Sequence, residues 1–78
     1  PFNPSTNIRF DLADEGHVNI LIYDVQGMVV EEIVNSFMMA GYHELQWNAR
    51  SFSSGMYFVR MMSDNGKYVE TQKIMLIK

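Results

Sequence analysis

Six short runs of alternating or apolar residues, separated by turn-forming residues, constrain this chain more than any other feature. Residues 8–12 set Ile8, Phe10 and Leu12 against Arg9 and Asp11. Residues 17–23 put Val18, Ile20 and Ile22 on one face. Residues 42–48 alternate His43, Leu45 and Trp47 with Tyr42, Glu44 and Gln46. Residues 56–62 carry Tyr57, Val59 and Met61 on one face. Residues 28–37 are apolar but irregular, and residues 68–77 close the chain. A period of two sends one face of each run to a core and the other to solvent. Many such runs at short spacing point to an all-β, Ig-like antiparallel β-sandwich of about seven strands. The seventh is a short strand expected between Val34 and Gly41, a stretch with more residues than one turn needs.

The punctuation between runs has its own chemistry. Asp24-Val25-Gln26-Gly27 suits a type I turn, with Asp at the first position and Gly where φ must turn positive. Asn65-Gly66 is the strongest hairpin signal. Ala13-Asp14-Glu15-Gly16 forms another turn, and Ser51-Phe52-Ser53-Ser54-Gly55 is a small-residue loop. Val30, Ile33, Val34 and Phe37 have helix spacing, so residues 29–38 fit a helix as well as a strand. Their β-branched content and their place between two hairpin-like units favour a strand with a bulge near Glu31-Glu32. The expected core is Ile8, Phe10, Val18, Ile20, Ile22, Leu45, Trp47, Tyr57 and Val59.

The last run poses a register problem. A two-residue turn at Asn65-Gly66 pairs Ser63 near Tyr68, and continuing it sets Glu70 and Gln72 beside Met61 and Val59 on the core face. The reading adopted is a bulge near Gln72-Lys73, with Val69 and Thr71 inward before it. Ile74 and Leu76 then return to the core, and Lys73, Met75 and Lys78 project outward.

At 78 residues, 47% of them hydrophobic, the chain suits one domain over residues 1–78, with little room for a walled active site beside a core. Pro1 and Pro4 disfavour helix and central strand, so residues 1–6 read as a linker exit leading into the first strand. The start at Pro1 rather than Met reads as a piece of a longer polypeptide whose export signal lies upstream. Without cysteine the domain must hold by packing, with neither disulfides nor thiolate metal sites. A net charge of −3 with no basic cluster argues against a nucleic-acid partner. No apolar run approaches the ~18 residues of a transmembrane segment.

No constellation of catalytic or metal-binding residues emerges. His17 reads as solvated and His43 as packed at a sandwich edge beside Leu45 and Trp47; neither has a partner at ligand spacing. Asp11, Asp14 and Glu15 lack the spacing of a calcium loop and read as solvated turn carboxylates. Glu31 and Glu32 point to opposite faces of a strand. Ser51, Ser53 and Ser54 sit in no nucleophile elbow. The expectation is a non-enzymatic protein without metal or cofactor. Tyr42 and Phe58, on the faces opposite the core, could stack on a partner. Seven methionines provide soft packing and adaptable surface.

The opening Pro1-Phe2-Asn3-Pro4-Ser5-Thr6-Asn7-Ile8-Arg9-Phe10 adds a second line of argument. Together with Val18-Asn19-Ile20-Leu21-Ile22-Tyr23-Asp24, Gly27, Gly41-Tyr42-His43, Trp47 and Ser54-Gly55-Met56-Tyr57-Phe58, it resembles the C-terminal sorting domain of type IX (Por) secretion cargo. That module is close in pattern to the Ig-like domain of the flagellar hook-cap protein. The resemblance covers nearly the whole chain. It implies a module at the C-terminus of a secreted protein that directs cargo through the periplasm and across the outer membrane to the surface of a Gram-negative bacterium. It also implies frequent removal by a sortase-like surface peptidase that can attach cargo to anionic lipopolysaccharide. Asn3-Pro4 matches the family's Asn-Pro entry, Gly55-x-Tyr57 its Gly-x-Tyr strand, and the segment from Lys73 to Lys78 its lysine-bounded final strand. Asn3, Pro4, Gly55, Tyr57, Lys73, Met75 and Lys78 are therefore the candidate sorting residues. The chain departs from the family in opening Phe2-Asn3-Pro4 rather than Pro-Asn-Pro, and in placing Asn48 where Asp is usual after the Trp. The implied partners are secretion-machinery or cell-surface proteins. The alternative is a structural Ig-like module in a surface assembly or filament, pairing with neighbouring copies through an edge strand. A carbohydrate-binding module would need a flat exposed aromatic row.

Overall fold

The computed structural model describes residues 5–63 and 68–77. These form six strands in the order β1 (Ser5–Leu12), β2 (Gly16–Tyr23), β3 (Val29–Met38), β4 (Gly41–Asn48), β5 (Gly55–Ser63) and β6 (Tyr68–Leu76). All pairings are antiparallel. β1 and β4 make a two-stranded sheet, and β3-β2-β5-β6 make a four-stranded sheet. The sheets face each other as a sandwich, as the alternation predicts. Six strands stand where about seven were expected, because β3 runs on to Met38 and leaves only a short turn before β4. β1 begins at Ser5, inside the segment read as the lead-in.

The core is the set of inward positions. Ile8, Leu12, Val18, Ile20, Ile22, Trp47, Ala49, Tyr57, Val59 and Leu76 are buried. Phe10, Val30, Ile33, Val34, Leu45, Met61 and Ile74 are partly buried against them. Val18, Ile20, Ile22 and Trp47 are fully enclosed. Phe10 and Leu45 are thus core-lining rather than sealed. Phe10 stacks on the ring of His43 at 5.3 Å, and His43 Nε2 lies 2.7 Å from the Met39 carbonyl oxygen.

β3 is strand throughout, which resolves the helix-spaced pattern. Two irregularities break its pairing with β2, between Ile20 and Leu21 and between Ile22 and Tyr23. Val34 pairs with Ile20 and Glu32 with Leu21, so Ile33 is the extra residue; Val30 is extra in the same way between Glu31 and Val29. Two bulges, not one, therefore bracket Glu31-Glu32. An extra residue shifts the side-chain phase, which is how a strand acquires apolar residues at helix-like intervals.

The β2–β3 turn closes on Asp24. The Gly27 N–H donates to the Asp24 carbonyl oxygen at 3.0 Å, and Asp24 Oδ1 accepts from the Gln26 and Met28 N–H groups. Gly27 has φ +85°, the left-handed conformation that glycine adopts without steric cost.

β6 corrects the expected bulge. Ser63 pairs with Tyr68, Met61 with Glu70, Val59 with Gln72, Tyr57 with Ile74 and Gly55 with Leu76 in one unbroken register. Glu70 and Gln72 do share the inward face with Ile74 and Leu76. The reason is the size of the opposing sheet. With only β1 and β4 above it, the inner face near the start of β6 stays uncovered, and Glu70 and Gln72 remain exposed to water. No desolvation cost forces a bulge. The turn read at Asn65-Gly66 lies outside the described residues.

Candidate recognition strand

β6 is the terminal strand of the four-stranded sheet, so one of its edges has no strand partner among the described residues. Its first six residues, Tyr68 to Lys73, are exposed on both faces. The C-terminal part is held by Ile74, half-buried, and Leu76, buried. Lys73 and Met75 alternate with these and face outward; Met75 is 59% exposed.

The start of β5 lies against this end of β6. Met56 pairs with Met75, Tyr57 with Ile74 and Phe58 with Lys73. Four candidate residues distant in sequence, Gly55, Tyr57, Lys73 and Met75, therefore meet at one end of one strand pair. Asn3, Pro4 and Lys78 lie outside the described residues. On the outer face, Val29, Tyr23, Phe58 and Lys73 form one cross-strand row, flanked by Met56 and Met75.

Tyr57 has a different position from Lys73 and Met75. It is buried, its ring meets Trp47 edge-on at 5.4 Å, and its hydroxyl donates to the Ser53 carbonyl oxygen at 2.7 Å. Phe52 closes an aromatic triad, 5.6 Å from Trp47 and 6.4 Å from Tyr57. The triad and the Tyr57 hydrogen bond tie the loop between β4 and β5 onto the core. Gly55 enters β5 with φ +151°, and a β-carbon placed there would meet nothing within 4 Å. Its requirement is one of backbone conformation rather than of space. Asn48 supplies an acceptor at the other end of the loop, its Oδ1 taking the Arg50 N–H at 3.0 Å. A carboxylate offers the same acceptor, so this departure from the family leaves the turn intact.

The remaining polar candidates are scattered. Exposed His17 contacts the Asn35 side-chain oxygen. Arg9 pairs with Glu44 at 2.9 Å across β1 and β4 on the outer surface. Among the described residues no group of three His, Cys, Asp or Glu side chains is placed to hold a metal. Among the described residues no helix is long and apolar enough to cross a membrane.

The family model described as the secretion system C-terminal sorting domain matches residues 1–78. The chain belongs to this family of sorting domains. Such domains mark proteins secreted by the type IX system to the cell surface or extracellular space of Gram-negative bacteria. No curated protein and no solved structure gives a significant match. The strand pair just described is thus the part of a sorting domain where its Gly-x-Tyr strand meets its final strand. The hairpin signal between β5 and β6 already implies this meeting: pairing Ser63 with Tyr68 and continuing without a bulge sets Tyr57 beside Ile74, the register observed.

Proposed function

We propose that this sorting domain acts as a non-catalytic export address, in which secretion machinery reads the outward face and free edge of β6 and carries the attached cargo across the outer membrane. In this reading residues 1–78 work as one domain, with residues 1–6 as its entry. The supporting observation is the juxtaposition of Gly55 to Phe58 with Lys73 to Leu76. Ile74 and Leu76 fix the strand from inside, so Lys73 and Met75 are presented in a set orientation. An unpaired edge offers backbone N–H and C=O groups to a partner. Lys73 adds a charge, and Met75 an adaptable apolar contact. Gly55 and Tyr57 contribute by setting the start of β5. Asn3, Pro4 and Lys78 join the recognition set on the family resemblance alone. Only the sorting reading has a matching family behind it, so the assembly reading is not carried further.

The test is a fluorescent reporter produced in type IX-competent cells with and without this domain at its C-terminus. The proposal predicts reporter outside the cells only when the domain is attached. Equal amounts outside with and without it would refute the address function.

A further inference from the structure

The two-stranded sheet leaves one side of the sandwich open. β4 lies over β3, as the contact of Trp47 with Glu31 shows. β1 lies toward β5 and β6, where Ile8 and Phe10 border a narrow groove with Val59, Glu70 and Gln72. The edge of β1 away from β4, which has no strand partner among the described residues, therefore overlooks the uncovered inner face of β6. At one end the groove widens into a cavity of about 620 Å³ that also reaches Tyr68 and Met61.

The lining has a definite chemistry. Half-buried Phe10 and Met61 form an apolar floor. Glu70 stands on one wall, and Asp11, Asp14 and Glu15 stand around the wide end. Among the described residues, no lysine or arginine lines that end; Arg9, beside the narrow part, is engaged by Glu44. We infer that the free edge of β1 accepts an extended, basic peptide segment as a third strand, which completes the small sheet and covers Glu70 and Gln72. Backbone pairing along the edge provides affinity, and alternate side chains meet the groove. Cationic side chains complement Glu70 and the acidic rim, so an anionic strand is rejected by like charge. β1 is favoured over the free edge of β6 on packing grounds. A strand on β1 covers Phe10, Met61 and Tyr68, whereas a strand beyond β6 covers no core-facing surface. This surface lies on the inner side of β6, away from Lys73 and Met75, and does not rest on the export reading.

The test uses the intact domain and three fluorescein-labelled heptapeptides. One alternates lysine and valine, one alternates glutamate and valine, and one is the lysine peptide with its central valine replaced by proline. Fluorescence anisotropy measures binding, and amide exchange by NMR locates it. The lysine–valine peptide is expected to bind and to slow exchange in β1, with the glutamate and proline peptides binding at least about tenfold more weakly. Glu70→Lys and Glu15→Lys, each first checked for an unchanged melting temperature, are each expected to weaken binding about tenfold or more. Thr71→Lys, on the opposite face of β6, is expected to leave binding unchanged. Failure of the lysine–valine peptide to bind overturns the inference. So does equal binding of the proline peptide, protection of β6 instead of β1, or unaltered affinity in both glutamate variants.

Discussion

The indole N–H of Trp47 donates to Glu31 Oε1 at 2.9 Å, joining the small sheet to the large one at a position where Trp47 is only 1% exposed. Glu31 reaches it because the bulges of β3 turn this carboxylate inward, level with Ile22. The side chain looks like a solvated strand residue in sequence, yet it satisfies the one polar atom of the central core aromatic. Glu31→Leu strands that donor and is expected to cost about 1–3 kcal/mol. In a Trp47→Phe background, which has no indole N–H, the same substitution should cost clearly less. Urea midpoints for the four proteins of this cycle measure the coupling. Equal losses in both backgrounds would show that the hydrogen bond contributes nothing.

Trp47 also carries the aromatic triad. Trp47→Ala removes contacts to Phe52 and Tyr57 and is expected to destabilise by about 3–5 kcal/mol. A small domain has as little as ~5 kcal/mol in total. Thermal unfolding followed by circular dichroism should show the variant largely unfolded or melting far below the parent. An unchanged melting curve would remove Trp47 from the centre of the core.

Gly55 and Gly16 separate conformational from steric demands. Both have open space where a β-carbon would stand, but only Gly55 has a positive φ, +151°. Gly55→Ala is therefore expected to cost about 1–3 kcal/mol. Gly16→Ala should fall within about 0.5 kcal/mol of the parent, as surface changes usually do. Denaturant unfolding of the pair decides the matter; similar midpoints would mean that β5 does not depend on this backbone conformation.

The alternating runs made most of the core legible, because Val18, Ile20 and Ile22 or Tyr57 and Val59 announce their faces without knowledge of their partners. Trp47 was equally legible. Leu12 and Ala49 were left out of the expected core, yet both are buried. They sit where β1 and β4 end, and their burial depends on how far the opposing sheet extends. The course of β6 was misjudged for the same reason. Whether Glu70 and Gln72 tolerate an inward position depends on which strands lie above them, a matter of pairing between β1 and β4 that local pattern does not carry. Glu31 was missed because a second bulge changes side-chain phase by one residue. Of the candidate sorting residues, sequence marked Lys73 and Met75 as outward-facing and Tyr57 as part of the core, where it is buried.

Lys73 and Met75 lie on the outward face of β6 with Ile74 and Leu76 inward, and this alternation allows a direct test of recognition. Removing residues 75–78 would also remove Leu76 from the core, so substitution is cleaner than deletion. The measurement is the fraction of a reporter found outside type IX-competent cells when it carries the domain with Lys73→Glu and Met75→Glu together. Both side chains are exposed, so the purified variant should keep the parent melting temperature within the few degrees expected of surface changes. The expected result is a folded domain whose reporter accumulates in the periplasm. Export at the parent level by this folded variant would show that the outward face of β6 is not what the secretion machinery reads.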